Sequence, residues 1–374
     1  MQSEPKHREI SRQLAADIAS GKYAPGSRLP GEPKLVEQFG VSRPTVARAF
    51  RQLEQDGLIE RRAGSGTYVR ESTPSSVGSR TIGLLVPGLA TTEIFQIICG
   101  EIASLARVRD FGILWGGSTN PHEDTDASLE HAGELCQQFI ARKLSGVFFA
   151  PAELTPGQGS ANSKLAESLR DAGIPVVLLD RDLLSYPSRS DFDLVGLDNM
   201  AGGYLLAEHL IKLGCKKIAF VARPLSAATV DARIAGVREA MVRHRIEADP
   251  GWVRYGDPAD LKYHRSLIAG KQFDAFICAN DNTAAMLMRS VEANGFKVPK
   301  DFRVVGFDDV KYATLVSPPL TTIHQPCRDL AVIAFRTMLE RIAEPTLPPR
   351  NISLKPSLVV RESCGAYLPR SKTA

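Results

Sequence analysis

The 374 residues hold six cysteines, Cys99, Cys136, Cys215, Cys278, Cys327 and Cys364, with no C-x-x-C among them and no histidines at ligand spacing. Such scatter argues against a zinc site and against a disulfide framework, and a reducing cytoplasm is the simplest home for it. No run approaches the ~18 apolar residues of a membrane span, and Met1 to Glu9 is polar where an export signal needs an apolar stretch. Neither secretion nor membrane insertion is expected. Also missing are G-x-S-x-G, G-x-x-x-x-G-K-S/T, H-E-x-x-H and a dinucleotide fingerprint, so no enzyme activity, metal or cofactor is expected. Net charge is absent from most of the length. Residues 71 to 374 carry 34 Lys and Arg against 34 Asp and Glu, whereas residues 1 to 70 carry 12 against 8, which accounts for the whole formal charge of +4. A small basic module thus precedes a large neutral one, and a module of that kind is attracted to phosphate backbones because bound cations release condensed counterions.

Within the basic module, Ile10, Leu14 and Ile18 repeat at helical spacing from Pro5 to Ser20, and Pro25-Gly26 breaks that helix. A short second helix carries Leu35, Val36 and Phe39 and stops at Gly40. Ser42 then caps a third, in which Val46, Ala49, Phe50 and Leu53 form one buried stripe and Arg43, Thr45, Arg48, Arg51 and Gln52 are left outside. Pro44 is tolerated because first-turn amides have no intrahelical partner. Gly57 to Arg62 followed by Gly64 to Val69 reads as a hairpin with a glycine-rich tip. A helix with a buried stripe and an Arg, Thr and Gln face suits a major groove, and the hairpin suits the flanking backbone. Each feature alone would more often be a solvated helix or a surface hairpin; it is their coincidence that favours DNA.

These residues carry a resemblance to the winged-helix domain of the GntR family of bacterial transcription regulators, over about residues 5 to 70. The matches are Pro25-Gly26, Leu29-Pro30 and Glu32, then Val41-Ser42-Arg43, Thr45-Val46, Leu53, Gly57-Leu58-Ile59, and Gly64, Gly66, Thr67 and Val69. The resemblance implies a DNA-facing set of Ser42, Arg43, Pro44, Thr45 and Arg48 from the recognition helix, Arg28 and Lys34 beside it, and Gly66 at the wing tip. Where the family has arginine after Thr-Val, Ala47 stands here and Arg48 follows.

Residues 71–80, rich in Ser, Thr, Pro and Gly, read as a tether between a first domain at 1–70 and a second at 81–366. In the second, short apolar runs alternate with helical stretches: Thr81 to Val86, Gly112 to Trp115, Gly146 to Phe149 and Val176 to Leu179, then Leu194 to Leu197, Ile218 to Val221, Ala275 to Cys278 and Arg303 to Phe307. That alternation predicts βαβ units in two parallel-sheet lobes, with Leu194 to Leu197 opening the second. The fold class expected is α/β: a winged helix-turn-helix plus a two-lobed domain. Polar residues follow the second-lobe strands directly: Asp198-Asn199, Asn280-Asp281 and Asp308-Asp309, with Arg233 at a predicted helix start. Open parallel sheets bind ligands at such strand ends, and carboxylate, amide and guanidinium together suit sugar hydroxyls. Taken singly, each Asp or Asn is more simply a helix cap.

A second resemblance, over about Thr81 to Gly365, is to the effector domain of the LacI/GalR repressors, relatives of periplasmic sugar-binding proteins. It rests on Thr81-Ile82-Gly83-Leu84-Leu85, Gly173 to Arg181, Val195 to Asn199, Lys217 to Phe220, Arg233 with Gly236, Ala279-Asn280-Asp281, Val304 to Asp309, Pro319 to Thr322, Gln325-Pro326 and Val360 to Ser363. The resemblance implies effector contacts from Arg233, Asn280 and Asp308, from Asp180 and Gln325 near the hinge, and from Thr92, Glu93 and Phe95 on the opposing jaw. An aromatic stacked on a sugar could be Phe95, Trp115 or Trp252, each of which also fits a core or surface role. A GntR-like head on a LacI-like sensor resembles the arabinose-repressor type of hybrid. It implies a homodimeric, cytoplasmic repressor that binds double-stranded operator DNA and answers to a small carbohydrate. Two alternatives remain at this point, a transport-type sugar-binding protein and a metal-dependent enzyme, the latter suggested by the acidic stretch His122 to Asp126.

Overall fold

The computed structural model describes residues 6–19, 22–24, 26–55, 58–62, 65–69, 80–87, 93–116 and 125–368. The chain divides into two compact units, Met1–Gly78 and Ser79–Ala374. The tether expected at 71–80 lies outside the described residues except for Arg80.

The first unit contains α1 (Lys6–Ala19), α2 (Glu32–Phe39), α3 (Arg43–Gln55), β1 (Ile59–Arg62) and β2 (Gly66–Val69). Its core is made of the residues whose spacing placed them on one helix face: Ile10, Leu14, Leu35, Val46, Ala49, Phe50 and Leu53, closed over by Ile59 and Val69 from the hairpin. The strands pair antiparallel with Arg62 opposite Gly66. Gly40 ends α2 in the left-handed region (φ 60°), which turns the chain into α3.

The second unit has two lobes. In the first, β3 (Thr81–Leu85), β4 (Gly112–Gly116), β5 (Gly146–Phe149), β6 (Val176–Leu179), β7 (Asp193–Leu197) and β13 (Asn351–Leu354) form a parallel sheet in the order β13-β7-β6-β5-β3-β4. One face is covered by α4 (Glu93–Val108) and α12 (Cys327–Ala343), the other by α5 (Thr125–Ala141) and α6 (Gln158–Asp171). With both faces covered, the central strands are apolar throughout, as in Val176 to Leu179. In the second lobe, β8 (Ile218–Ala222), β9 (Val253–Tyr255), β10 (Ala275–Cys278) and β11 (Arg303–Val305) form a parallel sheet in the order β11-β10-β8-β9. Helices α7 (Asn199–Lys212) and α8 (Ala228–Arg243) cover one face, α9 (Leu261–Ile268) and α10 (Asp281–Ala293) the other.

Two expectations are corrected here. Leu194–Leu197 does not open the second lobe: β7 pairs with β6 and β13 inside the first sheet, and the chain crosses over only at Asp198. The last strand stops at Val305, because Gly306 to Asp308 peel away toward the connecting segment β12 (Thr322–His324), where Asp308 bridges His324. The chain returns to the first lobe for α12 and β13 and leaves it again for β14 (Ser357–Val359), which pairs antiparallel with β12.

Helices α7 and α8 cross backbone to backbone. A Cβ on Gly203 would strike the Arg233 carbonyl, and one on Gly236 the Met200 carbonyl. Gly203→Ala is therefore expected to force the pair apart, at about 1–3 kcal/mol, and equilibrium urea unfolding should show it as a lower midpoint.

Candidate functional site

On the first unit, α3 presents Arg43, Pro44 and Arg48 to solvent, with Thr45 half-buried and Lys34 exposed on α2. The Ser42 and Thr45 hydroxyls lie 2.9 Å apart at the start of α3. Arg43 donates from Nε to Glu32 Oε2 at 3.1 Å while its side chain stays 76% exposed. Arg61 reaches the other Glu32 oxygen at 3.5 Å and also covers the Phe50 ring. Glu32 thus holds two guanidiniums beside the recognition helix. At the wing, Gly66 takes φ 130° and a Cβ there would come within 2.6 Å of Arg28 Nε, so only glycine lets Arg28 lie across the strand. The structure brings Ser42, Arg43 and Thr45 together at the α3 N-terminus and pairs Arg28 with Gly66.

On the second unit, a cleft of about 300 Å³ opens between the lobes, at the strand ends of both sheets. Its floor is built around Arg233, which lies in the second turn of α8 and not at the helix start expected for it, because α8 begins at Ala228. The Arg233 Nε donates to Asn199 Oδ1 at 2.8 Å, Nη1 donates to the Ala279 carbonyl, and Nη2 stands 4.0 Å from Asp308 Oδ1. The guanidinium lies 3.6 Å from the Phe307 ring centroid. Gln325 donates to Asp308 Oδ1 at 2.7 Å. Asp180 and Asp308 both hold positive φ, 67° and 121°, a strained backbone at the two strand ends that face each other.

Several expected residues play other parts. Asn280 lines the cleft, but its Oδ1 accepts from the Thr283 amide and caps α10, just as Asp198 accepts from Ala201 and caps α7. Gln325 is buried behind Asp308 and is not among the lining residues. Thr92 lies outside the described residues. Glu93 accepts the Lys311 amide across the lobes at 3.2 Å, Phe95 is packed in the first-lobe core under Arg181, and Ile94 takes the lining position between them. Of the other aromatics, Trp252 is in the second-lobe core and Trp115 is exposed on β4; Tyr312 lines the cleft instead.

Sequence reasoning missed the first lobe's main contribution. Arg181 pairs with Glu153 at 2.9 Å and stands 3.5 Å from Asp180. Glu153 follows β5 as the expected Asp180 follows β6, so the strand-end rule applied to the first lobe as well would have found Glu153 and Arg181. Glu153 also accepts the Ala227 amide (3.1 Å), and the Leu154 amide donates to the Leu225 carbonyl (2.7 Å), so the lobes touch at the cleft mouth.

Burial lifts the Asp308 carboxyl to about 7, against the pull of Arg233 and Gln325, and burial likewise raises Asp180. An acid with a raised folded pKa keeps its proton in the folded state where the unfolded chain has lost it. The stability it contributes is full at low pH and is lost between about 4 and 7. The wild-type unfolding free energy should therefore fall relative to that of Asp308→Asn from pH 5 to pH 7, and the two should run parallel above. Urea titrations at fixed pH check this. Among the described residues no group of three His, Cys, Asp or Glu could hold a metal, and no helix is long and apolar enough to cross a membrane.

A winged helix-turn-helix head joined to a two-lobed unit with a cleft between its lobes defines a ligand-responsive transcription regulator. Comparison with known proteins agrees. The gntR family of bacterial regulatory proteins matches residues 6–69, and the periplasmic binding protein-like domain matches residues 207–364. The arabinose metabolism transcriptional repressor of Geobacillus stearothermophilus is 28% identical, over 96% of this chain and 97% of its own. The HTH-type transcriptional repressor PurR of Vibrio campbellii is 30% identical, over 76% of this chain and 81% of its own. Among solved structures, a complex of the transcriptional regulator CelR with cellobiose has a TM-score of 0.65 at 25% identity, covering 86% of this chain and 91% of that one. The lac repressor dimer bound to operator and an anti-inducer has a TM-score of 0.61 at 25% identity, covering 76% and 94%. The chain belongs to the LacI/PurR-type transcriptional repressors and carries a GntR-family DNA-binding head. The transport and enzyme alternatives find no support among these relatives.

Proposed function

We propose that this repressor works as a homodimer in the cytoplasm, without catalytic activity. In this scheme residues 1–70 hold operator DNA, 71–80 are a tether, and 81–366 bind a carbohydrate effector and join the two chains. Ser42, Arg43, Pro44, Thr45 and Arg48 face the major groove and adjacent phosphates, Lys34 and Arg28 the backbone, and Gly66 lets the wing approach closely. Arg233, Asp308, Asp180 and Asn280 hold the effector, and Gln325 acts by fixing Asp308. Glu93 and Phe95 support the first-lobe jaw.

One observation carries the effector site. Asp180 is buried and its Oδ1 has no hydrogen-bond partner, beside a guanidinium committed to Asp308 and Asn199. A buried carboxylate oxygen left without a donor is costly unless a ligand hydroxyl supplies one. Likeness to the CelR–cellobiose complex supports a carbohydrate, and likeness to the operator-bound lac repressor dimer supports the dimer on DNA. An effector shifts DNA affinity only by its preference for one lobe arrangement over the other. The test is a mobility-shift titration on the promoter fragment upstream of the protein's own operon, with and without sugars. Salt-sensitive binding that one sugar alters supports the scheme; no retention of any such fragment sinks it.

A further inference from the structure

The charges lining the cleft are unevenly matched. On the floor, Arg233 is held by Asp308, Asn199 and Ala279, and Arg181 by Glu153 with Asp180 close by. Two cations therefore serve three acids. The third lining arginine, Arg223, is different: its carbonyl accepts from the Ser226 hydroxyl, and among the described residues its guanidinium has no carboxylate partner. Arg223 stands just past β8, half-buried, next to the start of α8. That helix is 16 residues long, and its N-cap residue, Ala227, supplies no capping side chain. In its first turn Thr229 lines the cleft at 9% exposure, and no partner for its hydroxyl is found among the described residues. An unmatched guanidinium and an unpartnered hydroxyl lining the same cleft form an anion-receiving surface, while the Ala227 amide at the helix start is already taken by Glu153. Asp180 lines the same cleft, and its buried Oδ1 lacks a donor.

Resting on the carbohydrate reading above, we propose that the effector is a polyhydroxylated anion, a sugar acid or a sugar phosphate. Its hydroxyls donate to Asp180 and Asp308 on the floor, and its charged group meets Arg223 and Thr229 at the α8 wall. A neutral sugar would satisfy the floor and leave the Arg223 guanidinium without a directly bound anion. Arg223 is thus the residue that selects charge, while Arg233 and the acids select hydroxyls.

The test is isothermal titration of the full chain with matched sets: arabinose, arabinonate and arabinose 5-phosphate; glucose, gluconate, glucuronate and glucose 6-phosphate; and the corresponding galactose set. One anion is expected to bind at least about tenfold tighter than its neutral parent, with affinity falling as salt rises. The carboxylate and phosphate members tell the two anion types apart. Arg223→Ala should erase the preference, bringing the anion's affinity down to that of its neutral parent on the same variant, and Arg223→Lys should keep part of it. The wild-type salt dependence stands as a readout even where a variant fails to fold. A neutral sugar that binds the wild type as tightly as any anion, or a preference that survives Arg223→Ala, overturns the charge assignment and leaves the carbohydrate reading intact. Binding by no member of any set overturns both.

Discussion

Arg233→Ala is expected to abolish the response to effector while leaving operator affinity in the absence of effector unchanged. The guanidinium holds Asn199, the Ala279 carbonyl and Asp308 at once, so it ties the crossover after β7 to the ends of β10 and β11. Truncating one partner of a buried, hydrogen-bonded charge pair costs about 2–5 kcal/mol in binding, roughly 30-fold to several thousandfold in Kd. Stability falls too, because Asp308 is left buried without its counter-charge, a loss of about 3–5 kcal/mol for a buried pair. The 4.0 Å separation places this pair at the lower end. Arg233→Lys keeps the charge but not the fork that reaches Asn199 and Ala279 together, so it should recover stability more than response. Mobility shifts with and without effector, paired with thermal melts, separate the two effects. An alanine variant that still answered normally would remove Arg233 from the effector site.

Arg43→Ala is expected to do the reverse. Its side chain is exposed, so the fold loses only a surface pair with Glu32, worth about 0–1 kcal/mol. Operator binding should weaken by about 1–3 kcal/mol, roughly 5- to 150-fold, if Arg43 reads a base edge. If it meets a phosphate, the slope of log K against log salt should drop by about 1 and the loss should be the same on unrelated DNA. Effector binding by the second unit should not change in either case. Fluorescence anisotropy over a salt series on specific and random duplexes distinguishes the outcomes, and full-strength binding by the variant would remove Arg43 from the interface.

The elements of this protein were legible where one periodicity repeats within a short stretch. The α3 stripe Val46, Ala49, Phe50 and Leu53 is buried as its spacing dictates, and the runs Gly146–Phe149, Val176–Leu179 and Ala275–Cys278 are strands with the bounds read from sequence. The candidate site was legible in part. Arg233 and Asp308 share one floor, and Asp180 lines the same cleft. Glu153 and Arg181 were passed over because strand-end polarity was sought only in the second lobe. Asn280 and Asp198 show the ambiguity of any Asx at a strand end, since each caps a helix whatever else it touches.

Sequence by itself determined what depends on neighbours a few positions apart: which segments are helix or strand, which face of each is apolar, and where the net positive charge lies. Tertiary structure alone decided which sheet β7 joins, that α12 and β13 return to complete the first lobe, and that the loops after β5 and β8 meet across the cleft. Lobe membership is set by packing between segments more than a hundred residues apart, as when β13 pairs with β7, and no local period encodes that choice. Charge matching in the cleft is decided at the same level, since whether Arg223 or Arg233 finds a carboxylate depends on which strand ends the two sheets bring face to face.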